Sequence, residues 1–220
     1  QWIIQLLSKS YTEDQVVHVL KAGLRPPHVG LRFNMHNPEF ESALSFFARL
    51  PECLLCQRPG LAFSKTPDQG LAEKIEQGLL SRQSISAQKA LLDLEPEQWP
   101  GPIWDACAGK GGKTCFLLEM GRAPVWVSDL SLNRLKICSQ ELKRLGLKKM
   151  PIFKADLCRK LPLAKAPGTI LLDVPCSGLG VLSRRPDSKY RRTKTDCKVL
   201  IKKQSQMLEN AYAGLNPGGL

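Results

Sequence analysis

Pro102-Ile-Trp-Asp-Ala-Cys-Ala-Gly-Lys-Gly-Gly-Lys-Thr114 is a short apolar run that dissolves into glycines and then resumes as a helix-forming stretch. The spacing predicts a buried strand over Pro102–Asp105, a turn at Gly109–Gly112 and a helix through Met120. Working outward, the same alternation recurs. Ser86–Leu94 reads as a helix before it, and Pro124–Ser128 as a second strand ending at Asp129. Leu132–Leu145 reads as a helix with apolar Leu135, Ile137, Leu142 and Leu145. Pro151–Lys154 and Thr169–Val174 supply a third and fourth strand, and Asp196–Leu215 a long helix. Repeated β–α units of this length predict an α/β fold with a doubly wound parallel sheet, its ligand at the carboxyl ends of the strands.

Before about residue 83 the pattern differs. Trp2–Ser8 and Glu13–Ala22 have helical spacing, and Val29–Phe33 alternates like a strand. Pro38–Leu50 reads as a helix with Asn37 as its N-cap; Pro and Gly break up 51–70; Leu71–Gln77 is a short helix. These elements predict a small α+β domain over 1–82, ahead of the sheet domain at 83–220. Within it Arg25, Arg32 and Lys65 define no site by themselves.

Charge narrows the partner. Thirty-two Lys and Arg against twenty Asp and Glu give a net charge of +12 over 220 residues, a field that draws polyanions. No basic amphipathic helix with an aromatic face is visible, which favours nucleic acid over a membrane surface. No run approaches the ~20 apolar residues that span a bilayer. The start, Gln1-Trp-Ile-Ile-Gln5, lacks the form of an export signal, so a cytoplasmic location is expected. Eight cysteines then read as reduced thiols. Cys53-Leu-Leu-Cys56 has no second ligand pair at matching spacing, so no metal is expected. His18, His28 and His36 read as surface or packing residues, as do Cys115, Cys138, Cys158 and Cys197 as packing.

The glycine turn admits two nucleotide-like readings. A phosphate-binding loop needs glycine five positions before Gly112, where this chain has Cys107, so that reading fails. The other needs an acid at the end of the second strand to accept hydrogen bonds from ribose hydroxyls. Asp129 stands there, 24 residues after Asp105. Together they indicate an adenosine-containing cofactor, without separating S-adenosylmethionine from a dinucleotide.

The fourth strand and the residues that follow it read Ile170-Leu-Leu-Asp-Val-Pro-Cys-Ser-Gly-Leu-Gly180, with Asp173, Pro175 and Cys176 at the strand's carboxyl end. Here the chain resembles the RNA cytosine-C5 methyltransferases of the Sun/RsmB/NOL1-NOP2 type, above all their bacterial 16S ribosomal RNA members. The family's D-x-C-A-x-P-G-G-K-T motif is matched from Asp105 to Thr114 except at Lys110, and its D-x-P-C-S-G-x-G motif fully from Asp173 to Gly180. Arg25–Asn34, Ser84–Gln88 and the basic stretch Arg184–Thr193 resemble further family segments. The resemblance implies a class I, Rossmann-like S-adenosylmethionine methyltransferase sheet. It also implies a cofactor loop of Cys107, Ala108, Gly109, Lys110, Gly111, Gly112 and Lys113, with Asp129 on the ribose, Asp156 near the adenine, and Asp173 between methyl donor and target base. Lys110 replaces a proline that fixes φ and lacks an N–H, so a looser loop is expected. From residues alone, Cys107 reads as packing and Asp156 could equally be a helix cap.

Carbon 5 of cytosine is a poor nucleophile, so such an enzyme adds a thiolate to carbon 6 first. The resemblance assigns that attack to a Cys beyond Leu220, Cys176 to product release, and Asp173 to a hydrogen bond on the ring. Cys176 stays open as the attacker on chemical grounds, since a Pro-Cys thiol performs that step in DNA cytosine methyltransferases. Arg184, Arg185, Tyr190, Arg191 and Arg192 would contact RNA, through phosphate pairing and stacking. Two other functions are weighed: a protein or small-molecule methyltransferase, which leaves the Pro-Cys thiol unexplained, and a non-catalytic RNA-binding module.

Overall fold

A computed structural model describes residues 2–123, 125–159, 161 and 163–220; Pro124, where the second strand is expected to begin, lies outside the described residues. In chain order come α1 (Trp2–Leu7), α2 (Glu13–Leu24), β1 (Val29–Phe33), α3 (Phe40–Ala48), β2 (Cys53–Gln57), β3 (Gly60–Phe63), α4 (Leu71–Glu76) and β4 (Leu80–Arg82). Then follow α5 (Ile85–Leu92), β5 (Ile103–Asp105), α6 (Gly112–Glu119), β6 (Val125–Asp129), α7 (Leu132–Arg144), β7 (Ile152–Lys154) and β8 (Thr169–Leu171). Last are α8 (Ser188–Arg191) and α9 (Lys194–Gly214). Packing separates two units, Gln1–Pro27 with Val174–Met207 and His28–Asp173 with Leu208–Leu220.

The larger unit holds two sheets. One is wholly parallel with order β7-β6-β5-β8, Trp104 lying beside Trp126 on one side and Ile170 on the other. The chain therefore steps outward from β5 through β6 and β7 and returns on the opposite side as β8. The strand order reverses between β5 and β8, and in such sheets the crevice beyond that point holds the ligand. Ile103, Val125, Val127 and Leu171 bury one core with nearly all of α6 and with Leu135, Cys138 and Leu142 of α7. Residues 135, 138 and 142 share one helix face, as their spacing requires.

The other sheet is antiparallel, with order β2-β3-β1-β4. It corrects the reading of 51–70: Arg58-Pro59, within the stretch that breaks the pattern, is the turn of a hairpin that resumes at Gly60. The first arm is an edge strand whose Leu54 and Leu55 face solvent, so no alternation marks it. The start of α3 is also corrected. Asn37 does not cap it; its Oδ1 accepts from Glu39 N–H and its carbonyl from Phe40 N–H, making a turn that delays the helix to Phe40. Phe33, Phe47 and Phe63 close this sheet's core edge to face.

Polar side chains tie the two sheets together. Arg32, 1% exposed on β1, donates Nε and Nη2 to both carboxylate oxygens of Glu119 on α6 at 2.8 and 2.9 Å. Its Nη1 donates to Gly112 O at 2.8 Å and Gln83 Oε1 at 2.5 Å. Arg144 of α7 donates to the carbonyls of Ile75 and Leu80 and to Ser81 Oγ. Asn34 Nδ2 bridges the carbonyls of Gly78 and Leu145, both at 3.0 Å.

In the smaller unit, α2 opens with a reciprocal capping pair between Thr12 and Gln15. A single turn at Leu179–Val181 leads to α8, and Gln204 Nε2 donates to Pro175 O at 2.9 Å, fixing the backbone beside Cys176. Among the described residues, no helix is long and apolar enough to cross a membrane.

Candidate active site

β5 runs between β6 and β8, paired with both, and the chain leaves it at Asp105 for the glycine turn. Gly109 and Gly111 have φ of +58° and +87°, which side chains rarely adopt. A Cβ on Gly111 would also lie 2.5 Å from Cys138 Sγ. The loop is pinned from β6: Asp129 Oδ2 accepts from Gly109 N–H at 3.0 Å while Oδ1 accepts from Ser131 N–H at 2.8 Å. The expected pairing of glycine turn and strand-end acid is thus a direct contact.

β8 stops at Leu171, earlier than the expected Val174, so Asp173 sits in the loop just past it. There Lys113 Nζ, from the first turn of α6, makes an ion pair with Asp173 Oδ2. Gln83, Asp105, Cys107, Ala108, Gly112, Lys113 and Asp173 line one cavity of about 110 Å³. It lies at the reversal of strand order, where a cofactor is expected. A cavity of about 610 Å³ near Ala164 and Ala213 is larger, but Lys165 and Asn210 are the polar side chains in its lining, with no carboxylate, thiol or imidazole to do chemistry.

Two members of the small cavity escaped the sequence reading. Asp105 was read only as a strand end, and Gln83 not at all. Asp105 is 1% exposed; Oδ2 accepts from Thr114 Oγ1 at 2.6 Å, while Oδ1 is buried without a hydrogen-bond partner. A buried carboxylate oxygen without a hydrogen-bond partner, on a residue that lines a cavity, fits a ligand carrying a cation or donor. Burial raises the Asp105 carboxyl from its usual 3.8 to about 6, with the Thr114 hydrogen bond opposing. An acid raised by folding favours the native state while protonated. That contribution is complete below about pH 3.8 and is lost as pH rises through about 6. Asp105→Asn is therefore expected to flatten the change in stability between about pH 4 and pH 6, a change on the order of 3 kcal/mol. Urea midpoints across that range check it; a variant retaining the native slope would assign the titration to another group.

Cys107 is half-buried on the cavity wall, its thiol pushed up to about 12 by burial and by Asp105, Asp129 and Asp173. It is therefore a neutral wall residue at ordinary pH. Lys110 and Gly111 instead line a second cavity of about 300 Å³ with Arg82, Ile137, Glu141 and Arg144. Asp156 accepts from Cys158 N–H and pairs with Arg159 at 3.3 Å, outside the lining of the small cavity. In the smaller unit Cys176 is exposed. Tyr190 is 81% exposed with Lys189 Nζ 5.0 Å from its ring, and Arg191 pairs with Asp187 at 3.1 Å. Arg184, Arg185 and Arg192 are exposed and carry no ion pair among the described residues. No group of three or more metal-binding side chains occurs among the described residues.

Residues 89–220 match the family model described as 16S rRNA methyltransferase RsmB/F. The chain belongs to the RsmB/F family. It is 30% identical over 239 residues to ribosomal RNA small subunit methyltransferase B of Enterobacter sp. (strain 638), covering 100% of this chain and 52% of that relative. It is 31% identical over 233 residues to the protein of the same name from Escherichia coli O6:K15:H31, covering 99% and 52%. The chain thus spans about half the length of the curated RsmB/F relatives it matches. In fold it resembles NSun6 from Pyrococcus horikoshii, solved with SFG, at TM-score 0.81 and 18% identity, covering 98% of this chain and 80% of that one. It also resembles a methyltransferase homolog protein from the same organism at TM-score 0.77 and 23% identity, covering 97% and 73%. The RsmB/F fold is thus the Rossmann-like α/β architecture expected from the β–α alternation.

Proposed function

We propose that this chain is the S-adenosylmethionine-dependent catalytic part of a cytoplasmic enzyme that methylates carbon 5 of a cytosine in 16S ribosomal RNA. The observation that carries the reading is the cavity at the strand reversal, which pairs Lys113 with Asp173 beside the orphaned oxygen of Asp105. When bound, S-adenosylmethionine supplies an electrophilic methyl group on a sulfonium. The glycine loop from Cys107 to Lys113 and Asp129 hold it, Asp129 accepting from the ribose hydroxyls and Asp156 lying toward the adenine. Asp105 offers its free oxygen to an ammonium group.

A thiolate would add to carbon 6 of the cytosine and make carbon 5 nucleophilic toward the methyl group the cofactor would supply, whose bond to sulfur would break; a base would then take the carbon 5 proton and the thiolate would leave. Asp173 donates or accepts a hydrogen bond at the pyrimidine ring, and Lys113 holds its carboxylate in place. Cys176 assists release. We assign residues 1–82 to RNA recognition, ahead of the catalytic part at 83–220, although residues 28–82 pack with the parallel sheet.

The test is RNA carrying 5-fluorocytosine, incubated with cofactor and the full-length protein, which includes the attacking Cys assigned beyond Leu220. Fluorine cannot leave as a proton, so a covalent protein–RNA complex that survives denaturation is expected. Methyl transfer without such a complex favours a protein or small-molecule substrate, and RNA binding without transfer favours a non-catalytic module. Exposed Arg184 and Arg185 are proposed phosphate contacts. Replacing both with Gln is expected to weaken RNA binding and lower the slope of log affinity against log salt by about 1–2. Parallel lines for the two proteins in a salt titration would remove them from the interface.

A further inference from the structure

We infer that Gln83 is a ligand for the carboxylate of the cofactor's methionyl end, held in position by buried Arg32; this rests on the S-adenosylmethionine reading above. A guanidinium carries only donors, so the amide oxygen of Gln83 must face it. Arg32 Nη1 donates to Gln83 Oε1 at 2.5 Å, and Arg32 is itself locked by Glu119 and Gly112 O. The backbone of Gln83 is fixed as well: its N–H donates to Gly30 O at 3.0 Å and its carbonyl accepts from Gln88 Nε2 at 3.1 Å.

The consequence is that Nε2 is turned to the opposite side. It has no hydrogen-bond partner among the described residues, and a Cβ placed on Gly112 would lie 3.6 Å from it. Gln83 lines the cavity with Lys113 and with Gly112 at the start of α6. The Gln83 amide donor and the helix N-terminus make one corner suited to an anion, and Lys113, paired with Asp173, adds its positive charge beside them. Asp105, whose Oδ1 is buried without a hydrogen-bond partner, lines the same cavity and suits a cation. An α-amino acid carboxylate and its ammonium match that division of charge. Glycine at 112 leaves open the space through which the Gln83 amide reaches the ligand.

The test compares S-adenosylmethionine with 5′-methylthioadenosine, which keeps the nucleoside and sulfur but lacks the amino-acid end. Gln83→Glu preserves shape and still accepts from Arg32, but turns an acceptor oxygen toward the cavity. Gln83→Met removes the donor without adding charge. By titration calorimetry on the full chain, both variants are expected to bind S-adenosylmethionine about tenfold more weakly or worse, Gln83→Glu being the weaker. Their affinity for 5′-methylthioadenosine is expected to stay within about twofold of the native protein. Equal losses for both ligands, or no loss for either, would overturn the assignment and leave the cofactor reading intact. A native protein that binds neither compound would remove the cofactor reading itself.

Discussion

Arg32→Met is expected to lower the free energy of unfolding by about 3–5 kcal/mol, a third or more of an ordinary domain's stability. Arg32 and Glu119 are each 1% exposed at the side chain and joined by two hydrogen bonds. Burial raises the Glu119 carboxyl while Arg32 opposes that rise. Methionine can fill the stem volume and keep contact with the Phe116 ring, over which the guanidinium lies at 5.3 Å. It cannot neutralise Glu119, nor donate to Gln83 and Gly112 O. The glutamate would then gain its proton in the folded state, so the deficit should shrink as pH falls. Replacing both residues, with Glu119→Leu, removes the orphaned charge and should recover most of the loss. Urea unfolding followed by tryptophan fluorescence, run as a double-mutant cycle, decides it. A single variant within about 1 kcal/mol of the native protein would show that water or a rearranged partner satisfies Glu119.

Arg32 also shows where reading the sequence stops. The parallel sheet was legible because its strands are apolar runs spaced by helical periods, and Asp129 because an acid at a strand end has a definite role. The same text named Arg32 but gave it no site: a charged residue on an alternating strand looks solvated unless its partner is known, and Glu119 stands 87 residues away. β2 was hidden by Cys53-Leu-Leu-Cys56, which packs on one side only and leaves Leu54 and Leu55 outside. Asn37 misled because its short side chain serves an N-cap and a turn equally well. Gln83 was invisible for a different reason. Nothing in an isolated glutamine says which way its amide points until a group with donors alone is placed against it. Conversely, a long lysine at 110 in place of proline proved compatible with the two positive-φ glycines beside it.

In the full-length protein, with the Cys assigned beyond Leu220 present, Asp173→Asn is expected to slow methyl transfer to RNA by about 10³-fold, while S-adenosylmethionine affinity stays within about threefold. Asparagine keeps the shape of the carboxylate and can still sit against Lys113, but it cannot exchange a proton with the pyrimidine ring. The position supports a role in turnover rather than in holding the fold. The Asp173 side chain is 57% exposed beyond the end of β8, so its replacement leaves no buried polar group stranded. Asp105, sealed beneath it, also feels its charge, so the variant should lower the Asp105 carboxyl slightly as the nearby anion disappears. Single-turnover rates on RNA, measured with cofactor titrations, separate the two contributions. A fall in rate with unchanged cofactor binding places Asp173 at the reacting base. If affinity falls in proportion and saturating cofactor restores the rate, the carboxylate serves the methyl donor alone, and the hydrogen bond to the ring must come from elsewhere.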